Sequence, residues 1–174
     1  NHQFLNAATA LTAVEAVRDL GVTISQDAIY HGLSKTRWPG RLEKVYENPY
    51  IIIDGAHNAS GASALAHTVS QYFAKEKVTL VLGILNDKEV DPVISRSCPL
   101  AHTIIVTRPD NPRAMEPSQL SSKAVQYCDR VITESNIQSA IDKAIGIAGQ
   151  QGVVLICGSL YLVGTARSYI RSKN

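Results

Sequence analysis

The sequence predicts an α/β protein built on one mixed, mostly parallel sheet. Short apolar runs typical of buried strands alternate with segments whose apolar residues recur at helical spacing. From Tyr50 onward the runs begin about every 25 residues, the rhythm of strand–helix–strand units with right-handed crossovers. We therefore expect residues 39–174 to form a Rossmann-like three-layer domain with about six strands, five parallel and one antiparallel.

Two helices are expected before the sheet. Apolar residues recur at three- and four-residue spacing over 3–20, which predicts an amphipathic helix that Gly21 stops. Ser25 is a suitable N-cap for a second helix, which we expect to end at Gly32. Two short helices cannot bury both of their faces alone, so residues 1–38 need another body to pack on.

The sheet is predicted to start with an antiparallel pair, 41–47 and 50–53, joined by a turn at Asn48-Pro49. Further strands are expected at 78–82, 103–106, 130–132 and 153–156, with helices at 62–73, 90–97, 118–127, 136–148 and 160–171. Ligands of such sheets bind beyond the carboxyl ends of the strands. The loops that follow strands are therefore the candidates for a site: 54–60, 83–89, 107–114, 133–135 and 157–161.

Composition argues against several classes of function. Hydrophobic residues make up 45% of the 174 residues and charged residues 18%, which suits a packed core. The net charge of +2 is scattered, and no apolar run approaches the roughly 20 residues of a membrane span. We therefore expect no nucleic acid and no membrane as partners. The cysteines and histidines lack disulfide or metal-ligand spacing, so we expect no metal ligands in this chain and a cytoplasmic location. Nothing predicts a coiled coil or a broad apolar seam, so we expect a monomer.

The first candidate set follows strand 50–53 directly: Asp54-Gly55-Ala56-His57-Asn58. It brings a carboxylate, an imidazole and an amide to one strand-to-helix turn. Asp54 is placed to accept hydrogen bonds from ribose hydroxyls, and His57 is placed to bind a carboxylate or an amine. Alternatively, Asp54 caps the next helix and His57 is a partly exposed loop residue. Because the whole set comes straight after a buried strand, we favour a functional site.

A second set lies where the helices meet the sheet: Trp38-Pro39-Gly40-Arg41-Leu42-Glu43. The planar guanidinium of Arg41 suits phosphate or ribose oxygens. Alternatively, the segment is a structural linker in which Trp38 fills a core and Arg41 pairs with Glu43. The residues alone leave these two interpretations about even.

Three further loops carry candidate residues. Ser159 lies between the last strand and the last helix, where it either caps the helix or holds a carboxylate beside anion-binding N–H groups. The loop 107–114 has two arginines braced by prolines, which position phosphate or substrate or are simply solvated. Lys88 follows a strand, although a surface charge cluster is the commoner meaning of such a lysine. Cys157 has no evident activating base, so a catalytic cysteine fits poorly.

Five sets in order resemble the folylpolyglutamate synthase/dihydrofolate synthase family of the Mur ligase group. They are His2-Gln3…Asn6-Ala7, the WPGRLE and DGAHN sets, Asp87-Lys88, and Gly158-Ser159-Leu160-Tyr161-Leu162. The resemblance covers essentially the whole chain, and WPGRLE and DGAHN together are specific. It implies an ATP-dependent ligase that adds L-glutamate to folates, to dihydropteroate or to both. In that family ATP converts a carboxylate to an acyl phosphate, which the amino group of glutamate attacks.

The resemblance also implies roles for single residues. For ATP, it implies that Asn6 contacts the adenine, Arg41 the phosphates and Asp54 the ribose. Glutamate would be bound by His57, Ser159 and Asp54. Catalytic roles are implied for His57 and Lys88. ATP and Mg2+ are the expected cofactors, with the magnesium ligands in a separate amino-terminal ATPase domain. Residues 1–38 resemble the helical tail of that domain with its linker, and residues 39–174 the carboxy-terminal ligase domain.

Some features depart from the family pattern. Ala59 stands where proline is usual after DGAHN, and Glu89 where aspartate is commoner. The chain has no GxxxxGK[ST] phosphate loop and starts at Asn1 rather than Met, so we expect an excised piece without ligase turnover of its own. Three alternatives are a ligase for a peptidoglycan precursor, a stand-alone nucleotide-binding module and an unrelated Rossmann-like domain. Gly55 in place of tyrosine favours the folate enzymes over the muramyl ones, and an unrelated domain would require five accidental matches.

Overall fold

The computed structural model describes residues 2–73, 78–87 and 89–173, and only the backbone of His2. Within it the chain divides into two compact units, Asn1–Trp38 and Pro39–Asn174. The first unit contains the helices α1 (His2–Asp19) and α2 (Gln26–Lys35). The second contains the sheet and the helices that cover it.

In the first unit, both predicted helices are present but the end of the second differs. The Ser25 hydroxyl accepts a hydrogen bond from the Ala28 amide at 3.1 Å, which confirms the predicted N-cap. The predicted end at Gly32 is wrong, because α2 continues to Lys35. Gly32 does not adopt the positive φ that stops a helix at Gly21, where φ is 93°.

Several apolar residues of α1 are exposed. Phe4 is 79% exposed and Val17 is 40% exposed, although their spacing predicts a buried face. The periodicity of the sequence therefore reports a helix correctly but does not report what covers it.

The second unit follows the predicted alternation of strands and helices. Its strands are β1 (Glu43–Tyr46), β2 (Tyr50–Asp54), β3 (Val78–Leu82), β4 (Thr103–Val106), β5 (Val131–Thr133) and β6 (Val153–Cys157). Its α-helices are α3 (Ala59–Phe73), α4 (Val90–Ser97), α5 (Pro117–Ala124), α6 (Ile137–Ala148) and α7 (Leu160–Ser172). A short 3-10 helix, Cys98–Leu100, continues α4 and was not predicted.

The strands form one sheet in the order β1-β2-β6-β3-β4-β5. β1 is antiparallel to β2, and all other neighbours are parallel. The mixed sheet predicted from the sequence, with one antiparallel edge strand, is confirmed.

Helices cover both faces of the sheet, which gives three layers. Ile52, like Leu80 and Leu155, faces the core formed with α3, α4 and α5, whereas Ile51 and Ile53 face the core formed with α6 and α7. Strands buried on both faces are apolar at nearly every position. That is why continuous apolar runs marked them in the sequence.

The strand order opens a crevice beside β6. This strand is last in the sequence, but it lies between β2 and β3. The chain leaves β2 and β3 toward helices on one face, and leaves β6 toward α7 on the other, so the loops diverge. Asp54, Cys157 and Leu82 are paired in register, so all three loops begin at the same level of the sheet.

The N-cap of α6 offers a test of local stability. The Asn136 side chain accepts a hydrogen bond from the Ser139 amide at 2.8 Å. Asn136→Ala leaves that amide without its partner, so we expect the free energy of unfolding to fall by about 1 kcal/mol. Asn136→Ser is the control and should stay within about 0.5 kcal/mol, because serine also caps helices. Urea unfolding followed by circular dichroism measures both, and an equal loss in the two variants would contradict the capping role.

Candidate functional site

Three loops beyond the carboxyl ends of β2, β6 and β3 are joined by backbone hydrogen bonds. The Gly158 amide donates to the Ala56 carbonyl at 3.0 Å, and the Gly83 amide donates to the Cys157 carbonyl at 3.3 Å. Gly158 has a φ of 105°, and a β-carbon there would lie 2.7 Å from the Gly83 carbonyl oxygen. Only glycine permits this approach of the backbones.

These loops border an open cleft, which we call the β6 cleft, with a cavity volume of about 100 Å³. Its lining consists of His57, Leu85, Arg113, Gly158, Ser159, Leu160 and Tyr161. The cleft therefore brings together two residues that the sequence singled out, His57 and Ser159, and adds Arg113. Its apolar walls with a few convergent polar groups are typical of a small-molecule site.

His57 is held by a bond within its own turn. Its Nδ1 lies 2.7 Å from the Gly55 carbonyl oxygen. A carbonyl only accepts hydrogen bonds, so Nδ1 carries the proton, and Nε2 is an acceptor in the neutral ring and a donor in the charged ring. The turn is tight, since a β-carbon on Gly55 would lie 2.5 Å from a side-chain carbon of Leu160. His57 is a half-buried loop residue, as the alternative supposed, and it also lines the cleft, so its functional role remains a prediction.

Ser159 caps α7 and lines the cleft at the same time. Its hydroxyl accepts a hydrogen bond from the Tyr161 amide at 3.2 Å, and its side chain is almost fully buried. The hydroxyl proton is still available for a ligand, because the cap uses the oxygen only as an acceptor. The positive end of the α7 dipole lies at the same place, which favours an anion.

Arg113 lines the cleft, although the sequence offered it only as one of two arginines in the loop 107–114. Its loop is tied to the loop after β3, since the Asn86 amide donates to the Arg113 carbonyl at 2.8 Å. An isolated antiparallel bridge between Leu85 and Ala114 continues this connection. The Arg113 guanidinium forms an ion pair with Asp87. The proline-braced loop with two arginines was the available signal, but only this connection directs Arg113, rather than Arg108, to the cleft.

Asp54 has a structural role of its own outside the cleft lining. Its Oδ1 accepts a hydrogen bond from the Ala56 amide, and its Oδ2 accepts one from the Leu42 amide, both at 2.8 Å. It thereby fastens the 40–42 loop to the end of β2. The alternative that Asp54 caps the next helix is wrong, because Asn58 caps α3 by accepting the Gly61 amide at 2.8 Å. The ribose and glutamate roles of Asp54 remain predictions.

The linker interpretation supposed that Arg41 pairs with Glu43, but the two side chains do not pair. Glu43 instead accepts hydrogen bonds from Arg167 and Arg171 of α7. Arg41 is exposed, and no side-chain hydrogen bond or ion pair joins it to another described residue. Trp38, at the end of the first unit, is 71% exposed and fills no core of that unit. The phosphate role of Arg41 therefore stays a prediction.

Glu43 provides a test of pH dependence. Burial raises its pKa, but the Gly40 amide and the guanidinium groups of Arg167 and Arg171 outweigh burial, so the pKa lies below its ordinary value. A depressed pKa in the folded state stabilises the protein above the ordinary pKa, and this stabilisation disappears as the pH falls through the lowered pKa. We therefore expect Glu43→Gln to lower the melting temperature at pH 7 and to differ less from the wild type near pH 3. Glu47→Gln, at an exposed pair with Lys44, is the control and should change little at any pH. If the melting temperatures of Glu43→Gln and the wild type differ by the same amount at pH 3 and at pH 7, the pKa of Glu43 is not lowered in the folded protein.

Two predicted site residues lie apart from this geometry. Asn6 is exposed in the first unit, where its amide donates to the Gln3 side chain at 3.2 Å. Lys88 lies outside the described residues. Their adenine and catalytic roles remain predictions.

The two buried cysteines, Cys98 and Cys157, are poorly suited to act as nucleophiles. Burial, and to a smaller extent the nearby Asp54 carboxylate, raises the pKa of the Cys157 thiol. Burial likewise raises the pKa of Cys98 to about 12. A thiol must ionise to attack, so neither group is reactive near neutral pH.

Among the described residues there is also no group of three or more His, Cys, Asp or Glu that could hold a metal ion. Nor is any helix in the described ranges long and apolar enough to span a bilayer.

A three-layer sheet with its cleft at the reversal of strand order defines a class of ligand-binding α/β domain, and comparison with known proteins identifies the family. The sequence profile of the Mur ligase glutamate ligase domain matches residues 40–160. The chain belongs to this Mur ligase family. The resemblance noted in the motifs is confirmed: the chain corresponds to the carboxy-terminal portion of folylpolyglutamate and dihydrofolate synthases.

Individual relatives support this placement. The chain is 34% identical to a dihydrofolate synthase/folylpolyglutamate synthase of Mycobacterium tuberculosis, over 96% of the chain and 38% of the relative. It is also 34% identical to the enzyme of the same name from Bacillus subtilis, over 98% of the chain and 39% of the relative. The chain thus spans about two fifths of the length of these curated relatives.

Solved structures agree with the sequence comparison. A folylpolyglutamate synthase of Mycobacterium tuberculosis complexed with ADP superposes with a TM-score of 0.88 at 34% identity, covering 98% of this chain and 40% of that one. Escherichia coli FolC in complex with DHPP and ADP gives a TM-score of 0.83 at 28% identity, covering 97% of this chain and 39% of that one.

Proposed function

We propose that this chain is the glutamate-binding part of an ATP-dependent ligase that adds L-glutamate to folates, to dihydropteroate or to both. The observation that carries the proposal is the β6 cleft, where His57, Ser159 and Arg113 converge in a domain of the glutamate ligase family. The relatives named above are dihydrofolate or folylpolyglutamate synthases.

The charges at the β6 cleft suit an α-amino acid. Its carboxylates match the Arg113 guanidinium, the Ser159 hydroxyl and the start of α7. Its amino group, when protonated, matches Asp87, which already pairs with Arg113 beside the cleft. A ligand with both charges fits this mixed set better than a simple anion does.

In the proposed reaction, the neutral amino group of glutamate attacks the carbonyl carbon of an acyl phosphate. A carbon–nitrogen bond forms, the carbon–oxygen bond to phosphate breaks, and phosphate leaves with the electron pair. The nitrogen must then lose a proton. His57 is suited to receive it at Nε2, because Nδ1 already carries a proton that it donates to Gly55. Lys88 stays a second candidate for a catalytic role.

We propose ATP-binding roles for three further residues. Arg41 would meet the phosphates, Asp54 the ribose and Asn6 the adenine. Support comes from the relatives solved with ADP, and from a Yersinia pestis relative solved with AMPPNP and a manganese ion. We propose Mg2+ as the natural metal. The described residues offer no cluster to hold it, so its ligands are proposed to lie in an amino-terminal domain.

We also propose that residues 1–38 belong to that amino-terminal ATPase domain and that residues 39–174 form the ligase domain. The division of the chain at Trp38 and the exposed apolar residues of α1 support this arrangement. A monomer in the cytoplasm is the proposed state, and the three free cysteines suit a reducing compartment.

The test is a ligation assay on the longest natural polypeptide that contains these residues. We expect ADP release that requires both L-glutamate and an acceptor, with dihydropteroate and tetrahydrofolate assayed separately. ADP release with a muramyl peptide precursor but with neither pterin would indicate a ligase for a peptidoglycan precursor instead of a folate ligase. Nucleotide binding without turnover on any acceptor would indicate a binding module.

A further inference from the structure

The backbone around Arg41 is held in an unusual conformation. Both neighbours have positive φ, 74° at Gly40 and 43° at Leu42. Leucine rarely adopts this region, because its β-carbon crowds the backbone. Such a conformation persists only where surrounding contacts enforce it.

Hydrogen bonds enforce it on both sides of Arg41. The Gly40 carbonyl accepts the Gly55 amide at 2.6 Å, and the Leu42 amide donates to Asp54 at 2.8 Å. The third contact is the Gly40 amide, which donates to Glu43 Oε2 at 2.7 Å. The first two contacts come from the DGAHN turn, but the third depends on where the Glu43 side chain is held.

Glu43 is held from the far end of the chain. Nε of Arg167, 124 residues later, donates to both carboxylate oxygens at 2.9 and 3.0 Å. The Glu43 side chain is 16% exposed and that of Arg167 is 30% exposed, so water screens this pair only in part. Arg171 adds one longer contact of 3.3 Å, and its side chain is 57% exposed.

We propose that Arg167 is a positioning residue for nucleotide binding: it fixes Glu43, Glu43 fixes Gly40, and the Arg41 guanidinium is thereby presented to the phosphates. The inference rests on the proposed role of Arg41. Arg167 itself touches no nucleotide. Holding the loop in advance lowers the cost of ordering it when the nucleotide binds.

The test measures ADP binding by calorimetry with the full-length ligase polypeptide. We expect Arg167→Gln to weaken ADP binding about tenfold and Arg171→Gln about twofold, because Arg171 makes one longer and more exposed contact. Arg96→Gln, an exposed arginine on α4, is the matched control and should leave the affinity unchanged. The KM for glutamate should stay within about twofold in all three, because the β6 cleft is not altered.

A double-mutant cycle separates positioning from a purely structural effect. If Arg167 acts through Arg41, Arg167→Gln should cause no further loss of ADP affinity once Arg41→Ala is present. Additive losses would overturn the proposal, as would unchanged ADP affinity in Arg167→Gln. Should Arg167→Gln fold poorly, Arg167→Lys keeps the charge but has a methylene in place of the Nε–H that reaches both oxygens, and should still weaken ADP binding. If the unaltered polypeptide binds no ADP, the proposed function fails and this inference with it.

Discussion

Gly158→Ala is expected to destabilise the protein by about 3–5 kcal/mol, from the strain of the backbone conformation and from overpacking. The φ of 105° is unfavourable for any side chain, and the new β-carbon would meet the Gly83 carbonyl oxygen at 2.7 Å. That oxygen cannot withdraw freely, because the Gly83 amide is bonded to the Cys157 carbonyl. Thermal unfolding of the full chain should show a melting temperature lower by about 10 °C or more.

Gly164→Ala is the matched control on the helix that follows. Gly164 lies inside α7, has no atom within 4 Å of its missing β-carbon and is exposed. Alanine there should stabilise the helix by about 0.5–1 kcal/mol. If both alanine variants melt at the same temperature, the close approach of the β6 and β3 loops does not constrain residue 158.

The sheet was predictable from the sequence because its strands are apolar on both faces. The runs at Val78–Leu82 and Thr103–Val106 matched the observed strands at both ends. β5, only partly buried at the end of the sheet, was displaced by one residue. The end of α2 was missed because a glycine in a helix does not by itself stop it. Local pattern therefore predicts the buried elements best, since burial is what creates the pattern.

The site was predictable only in part, because strand order is a long-range property. His57 and Ser159 each follow a strand, but nothing in the spacing states that β6 inserts between β2 and β3 and so brings the two residues together. Arg113 depended on the bridge between Leu85 and Ala114, and the partner of Glu43 is 124 residues away. The sequence shows which side chains could take part in a reaction, whereas the pairing of distant segments determines which of them lie close together.

His57→Asn is expected to reduce kcat/KM for glutamate about 100-fold in the proposed full-length ligase, because the variant loses the group that accepts the proton of the reacting amine. The asparagine amide can occupy the place of Nδ1 and keep the bond to the Gly55 carbonyl, so the turn should survive while the acceptor at Nε2 is lost. The KM for ATP should therefore stay within about twofold. Steady-state kinetics with glutamate and ATP varied in turn measures both constants.

His67→Asn supplies the same chemical change on the exposed side of α3 and should leave all the kinetic constants unchanged. His57→Gln is the complementary variant, because its longer side chain places an amide near the position of Nε2 and gives up the bond to Gly55. An amide has no basic nitrogen, so if His57 receives the proton, the glutamine variant should recover binding of glutamate but not kcat. If it recovers both, His57 only orients the amine. If His57→Asn instead raises the KM for ATP and spares that for glutamate, then His57 belongs to the nucleotide side and the β6 cleft holds something other than the amino acid.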